Sequence, residues 1–255
     1  MYLQTLIWPL VLLVGVPLAC PAQEYARLLT DEWKQVAGYV AVHRTAWEEV
    51  FASLDVDPAE CEAIVFPELL RYSRLQDGLE KAMVQTLYVQ AGSAKGDFSI
   101  GMFQMKPSFA EEVEEAWMHS PLRQKYKLYF DRQPNRFSRS QRIERLGDEG
   151  WQCVYLALFV RLMFLREPLL RELPAKERVC LLATAYNYSF TAPLDTLRRW
   201  QSRRSFHFDL LPGKKTDYYS YAGIAVEWYL HVSHQKNKMN KLKIHRPGNT
   251  NKKLP

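Results

Sequence analysis

Four cysteines are few for 255 residues, and no CxxC or CxxH spacing occurs among them. The pattern of a structural zinc site is therefore absent. The six histidines also lack ligand spacing; His231 and His234 form an i, i+3 pair that reads as a helix surface. Runs with strict strand alternation are scarce and no internal repeat is visible, which argues against an all-β domain and a solenoid. No charged residue precedes Glu24, and no Asp or Glu occurs in 231–255. Beyond the N-terminal segment, no stretch is long and apolar enough to span a bilayer.

Two of these absences mark the ends of the chain. Residues 1–23, MYLQTLIWPLVLLVGVPLACPAQ, are almost wholly apolar, broken by Pro9, Gly15 and Pro17, and meet small residues at Ala19 and Ala22. That profile predicts a secretory signal peptide over 1–22, cleaved after Ala22. A retained anchor and lipidation at Cys20 are the alternatives, although Pro17-Leu18-Ala19 fits a lipobox poorly. Each places the protein outside the cytosol, in the periplasm or cell envelope, with or without membrane association. Cys61, Cys153 and Cys180 remain, an odd number, and read as buried free thiols or as one pair and one thiol. At the other end, Lys236, Lys238, Lys241, Lys243, Arg246, Lys252 and Lys253 carry seven positive charges, so a net charge of +6 leaves the rest at −1. Residues 235–255 are expected to be a disordered basic tail, free in solvent or touching an anionic cell wall or membrane surface. Nucleic acid is an unsuitable partner for an exported chain.

Between the ends, residues 23–234 predict one mainly α domain. Apolar residues recur at three and four through 24–54, giving one or two helices. Asp57-Pro58 reads as an N-cap with proline at the first helical position, and Pro67 should kink or restart that helix. Further helices are expected over 75–92, 107–118, 150–173, 174–190 and 217–234, with 150–173 central because it is apolar nearly all round. The polar, Arg-rich 119–148 reads as a short helix and a mobile loop.

Three places hold chemistry. Glu68 sits in AIVFPELLRYS, among Ile64, Val65, Phe66, Leu69 and Leu70. Burial there would raise its pKa, as a general acid requires, unless it lies on a wet face paired with Arg71 or Arg74. The stretch GDFSIGMFQMKPSFA, 96–110, surrounds one amide, Gln104, with Ile100, Met102, Phe103 and Met105, between Gly96, Gly101 and Pro107. It reads as a packed loop or as a site for an amide-bearing sugar. ATAYNYSF, 183–190, ends an apolar helix with Tyr186 and Asn187, which suit a hydrogen-bonding site or a plain helix terminus.

In this order the three resemble the lysozyme-like superfamily of soluble lytic transglycosylases and goose-type lysozymes. The family has a helix with a catalytic Glu, a loop of the form G-L-M-Q-x-M-P-x-[ST], and a helix with A-Y-N. Here these are Glu68, G-M-F-Q-M-K-P-S-F-A at 101–110, and Ala185-Tyr186-Asn187, so the likeness covers about 64–190. The chain departs from the pattern at Leu69, where the family has Ser, at Tyr188-Ser189, where it has Ala-Gly, and in an extra helix before Gly101.

The resemblance implies a lysozyme-like helical domain with a substrate groove that binds peptidoglycan glycan strands and needs no cofactor and no metal. It implies Glu68 as general acid and then base at the MurNAc–GlcNAc β-1,4 bond, with a 1,6-anhydro-muramic product. Gly101, Met102, Phe103, Gln104 and Met105 would bind the N-acetyl sugar, Tyr186 would hydrogen-bond Glu68 or the sugar, and Asn187 would support the helix end. Asp97 raises a lysozyme-type hydrolase as the alternative, if its carboxylate faces Glu68 across a cleft and activates water; otherwise it caps a turn. A non-catalytic glycan-binding or envelope-scaffold protein is the third reading.

Overall fold

A computed structural model describes residues 25–74, 79–209 and 212–244. The signal-peptide, anchor and lipidation readings of 1–22 therefore fall outside the described residues. The fold is mainly α, as the composition and spacing predict. Helices α1 (Tyr25–Leu28) and α2 (Thr30–Ser53) precede α3 (Pro58–Arg74) and α4 (Leu79–Ala91). After a turn-rich segment come α5 (Pro107–His119), α6 (Leu122–Tyr126), α7 (Arg136–Gly147) and α8 (Glu149–Arg166), with a short 3-10 turn at Pro168–Glu172. Helices α9 (Ala175–Tyr188) and α10 (Leu194–Trp200) lead to an antiparallel hairpin, β1 (Arg204–Phe206) with β2 (Tyr219–Ser220), and α11 (Tyr221–Ile244) ends the described chain.

Helix α3 starts as its sequence requires. Asp57 Oδ1 accepts from the amides of Ala59 (2.8 Å) and Glu60 (3.1 Å), which the first turn cannot satisfy internally. Pro58 then sits where a missing N–H costs nothing. The helix does not restart at Pro67 but runs unbroken to Arg74. Proline at 67 removes a donor from the preceding turn, and there the Tyr221 hydroxyl of α11 donates to the Ile64 carbonyl at 2.9 Å. A partner from another helix thus serves a carbonyl of the turn that the proline disturbs.

The core gathers around α3 and α8. Ten residues of α8 are buried, in keeping with its all-round apolar pattern. Helix α3 is enclosed just as fully, since it packs on α2, α8, α9 and α11. Phe66 shows how tightly: the Trp228 ring of α11 stacks on it at 3.9 Å, and Trp33 of α2 meets it edge-on at 4.7 Å. Such pairs contribute on the order of 0.5–1.5 kcal/mol each beyond their buried area.

Two expectations are corrected. Residues 119–148 hold two helices rather than a helix and a mobile loop; Asn135 caps α7 by accepting from the Ser138 amide at 2.9 Å. The face of α7 that turns inward is Ser138, Arg142 and Leu146, so it has little apolar period to read. Residues 235–244, assigned to a disordered tail, continue α11 as helix, while 245–255 lie outside the described residues. Helix α10 and the hairpin were not anticipated at all. The predicted 75–92 helix is present as α4, with 75–78 outside the described residues. Among the described residues, no helix is long and apolar enough to cross a membrane. Cys61, Cys153 and Cys180 are buried thiols outside any disulfide.

Candidate functional site

Glu68 lies in the enclosed part of α3 and is 5% exposed. Burial strips its carboxylate of water and pushes the pKa from 4.5 up to about 7, against the opposing pull of Arg71 and Lys106. At neutral pH the group is therefore divided between acid and carboxylate. Two tyrosines face it electrostatically. Burial, with the Glu68 charge adding, holds the hydroxyls of Tyr186 (α9) and Tyr221 (α11) protonated well above the usual tyrosine range. Both remain donors: Tyr186 to the Phe103 carbonyl at 2.8 Å, Tyr221 to Ile64 as described.

The bond from Tyr186 joins the acid's surroundings to the 100–105 turn. Ile100 and Met105 pair across it, N to O in both directions, at 2.8 and 3.1 Å. Residues 101–104 make the reversal, with positive φ at Gly101 (+70°) and Gln104 (+50°). Gly101 is needed twice over. Its backbone angle favours glycine, and a Cβ there would lie 1.5 Å from the Gln152 amide nitrogen. Gln152, wholly buried on α8, clamps the turn from behind. Its Oε1 accepts from the Phe103 amide at 2.8 Å, and its Nε2 donates to the carbonyls of Ile100 (3.2 Å) and Leu146 (2.5 Å). The Phe103 peptide is thus held at both ends, by Gln152 and Tyr186. Its ring meets Trp47 edge-on at 5.2 Å.

Gln104, the amide expected to hold a sugar, also serves its own turn. Its side-chain Nε2 donates to the Gly101 carbonyl at 2.8 Å, bracing the turn in which it sits, and it is 9% exposed. Phe103 and Met105 are buried, while Met102 is half-buried at the turn.

Asp97 points to α5. Its Oδ1 accepts from the Ser108 amide at 2.8 Å and its Oδ2 from the Ser108 hydroxyl at 2.7 Å. Helix α5 has no cap from Lys106, the residue before it, so Asp97 supplies an acceptor from eleven residues upstream. The bonds are not the local turn-capping ones expected of Asp97 but reach a helix start eleven residues on. Asn187 is exposed at the end of α9, where it lines a cavity of about 10 Å³ with Thr184, Tyr188, Trp200 and Tyr221. It is not among the groups that act on Glu68.

Comparison with protein-family models, curated proteins and solved structures returns no match to this chain.

A hydrogen bond thus joins Tyr186 to the 101–105 turn and the Glu68 charge acts on Tyr186, while Asp97 bonds Ser108 and Asn187 lies at the end of α9. Sequence reading missed Gln152, Tyr221 and the hairpin. Gln152 had one visible signal, a lone amide in the apolar run GWQCVYLALF. A polar side chain in such a run must find partners once buried.

Proposed function

We propose that the chain is a peptidoglycan lytic transglycosylase, with Glu68 as its only acid and base. The observation that carries this reading is a carboxyl buried on α3 and poised to hold its proton near pH 7. A general acid needs that poise, because an ordinary glutamate would be ionised.

In the proposed reaction Glu68 gives its proton to the glycosidic oxygen between MurNAc and GlcNAc, and that bond breaks. The substrate's own N-acetyl oxygen stabilises the electron-poor anomeric carbon. Glu68, now a carboxylate, takes the proton of the muramyl C6 hydroxyl as that oxygen bonds to the anomeric carbon. The 1,6-anhydro ring closes, no water enters, and Glu68 ends protonated. The 101–105 turn would line the N-acetyl side, with Gln104 shaping it rather than reaching the sugar. Tyr186, which feels the Glu68 charge and fixes Phe103, would couple the acid to the turn. The substrate lies in the cell envelope, as the expected export requires.

Lysozyme-type hydrolysis of the same bond would need a second carboxylate free to activate water. Asp97 gives both oxygens to Ser108, which favours the reaction without water.

Mass spectrometry of purified peptidoglycan digested by the chain, with Glu68→Gln in parallel, tests the reading. Muropeptides ending in 1,6-anhydro-muramic acid, absent from the variant digest, support it. Reducing-end products one water heavier transfer it to a hydrolase. A folded protein that releases nothing leaves the binding or scaffold role.

A further inference from the structure

Three glutamates of α3 are buried: Glu60, Glu62 and Glu68, at 3%, 1% and 5% exposure. Each has an arginine, but the grips differ. Arg44 holds Glu62 as a fork, Nε to Oε1 at 2.8 Å and Nη2 to Oε2 at 2.9 Å. Arg178 holds Glu60 through Nε, at 3.1 and 3.0 Å to its two oxygens, and through Nη2. Arg71 reaches Glu68 with a single N–H at 3.3 Å. Charge-assisted bonds of this kind settle nearer 2.7–2.9 Å.

The cause is visible in the hairpin. Arg71 Nε and Nη2 both donate to the His207 carbonyl, at 3.0 and 2.9 Å, and the guanidinium lies 4.2 Å over the Phe206 ring. Phe206 in turn meets Tyr221 edge-on at 5.0 Å, and Arg204 Nε ties the two strands by donating to the Tyr218 carbonyl. The Nε–Nη2 edge, with which Arg44 forks Glu62, is in Arg71 already taken by the backbone after β1.

We propose that Arg71 is a positioning residue for Glu68, held back from the carboxyl by the β1–β2 hairpin, so that the hairpin keeps the acid loosely paired. The inference rests on the proposed function only in requiring that Glu68 hold a proton. The charged and titratable groups facing Glu68 are Arg71 on its own helix, Lys106 before α5, Tyr186 on α9 and Tyr221 on α11. Among the described residues Arg71 is the one of these four that hydrogen-bonds Glu68, and it bonds the hairpin as well.

The test replaces Arg71 in the full chain and follows the Glu68 carboxyl carbon by NMR titration, assigned with Glu68→Gln, while thermal melts confirm folding. Arg71→Met removes the positive charge, so the titration should move upward by about one pH unit or more. Arg71→Lys keeps the charge but cannot share a planar fork between a carbonyl and an aromatic face. Its ammonium should settle on Glu68 and move the titration downward by a similar amount. A Lys variant that titrates like the parent would overturn the proposal, because charge alone would then account for Arg71. A Met variant without an upward shift would overturn it as well. No substrate enters the measurement, so failure to release muropeptides would sink the transglycosylase reading and leave this one standing.

Discussion

Glu68→Gln should make the protein more stable, and only above mildly acidic pH. The folded state holds the Glu68 proton up to about pH 7, whereas an unfolded glutamate releases it near 4.5. Below 4.5 both states are protonated and the group contributes nothing. Between 4.5 and 7 the unfolded state alone ionises and is favoured. Above 7 the full penalty applies. A gap of about 2.5 pH units at 1.36 kcal/mol per unit gives about 3 kcal/mol of lost stability. Glutamine has nearly the same shape and no titration, so the difference between variant and parent isolates this one group. Urea unfolding at pH 4, 6 and 8 measures it. The variant's advantage should grow by about 3 kcal/mol from pH 4 to pH 8, which moves the urea midpoint by roughly 1 M or more at ordinary m-values. Parallel curves for variant and parent over this range would refute the reasoning, because Glu68 would then titrate alike in both states. Cleavage activity should move the opposite way, falling as pH rises past 7 and Glu68 loses its proton. The residue would then be one that weakens the fold under the conditions in which it is to work.

Three further outcomes follow from the packing. Gly101→Ala should cost several kcal/mol in a thermal melt, since strain at φ +70° adds to a clash with Gln152, whereas Gly92→Ala, at φ +81° with open space around it, should cost only about 1 kcal/mol. Glu114→Gln should cost about 3–5 kcal/mol in urea unfolding, because wholly buried Glu114 neutralises Arg142 and Arg145, and the variant leaves both guanidiniums short of a counter-charge. Asp97→Ala should cost about 1–2 kcal/mol by removing the acceptor for Ser108, and should leave the masses of released muropeptides unchanged.

What the sequence revealed depended on how each element meets its neighbours. Helix α8 was legible because it is apolar all round, and α3 because Asp57 and Pro58 announce its start. Helix α7 was not. Its buried face is Ser138, Arg142 and Leu146, and Arg142 is buried by pairing with Glu114 from α5, 28 residues away. A charge buried through such a distant partner leaves no local apolar period. The hairpin has strands of three and two residues, too short for alternation to register.

The candidate site divides in the same way. Apolar neighbours in the sequence pointed to a buried Glu68, and the i, i+3 spacing pointed to Arg71 beside it. Pairing was expected only on a wet face, yet Glu68 is buried and Arg71 still touches it at 3.3 Å. The hairpin reconciles them by taking two of the guanidinium's N–H groups, and it stands 136 residues away in the chain. The two glutamines repeat the lesson. Gln104 looked like a ligand amide because apolar residues surround it, but in a tight turn the Gly101 carbonyl, three positions back, lies within its own reach. Gln152 does the clamping and lies near the N-terminus of α8, far from the turn in sequence. Residue type on α3 therefore does not single out an acid, since Glu60, Glu62 and Glu68 are all buried glutamates. What distinguishes Glu68 is the incompleteness of its pairing, and that belongs to the tertiary structure.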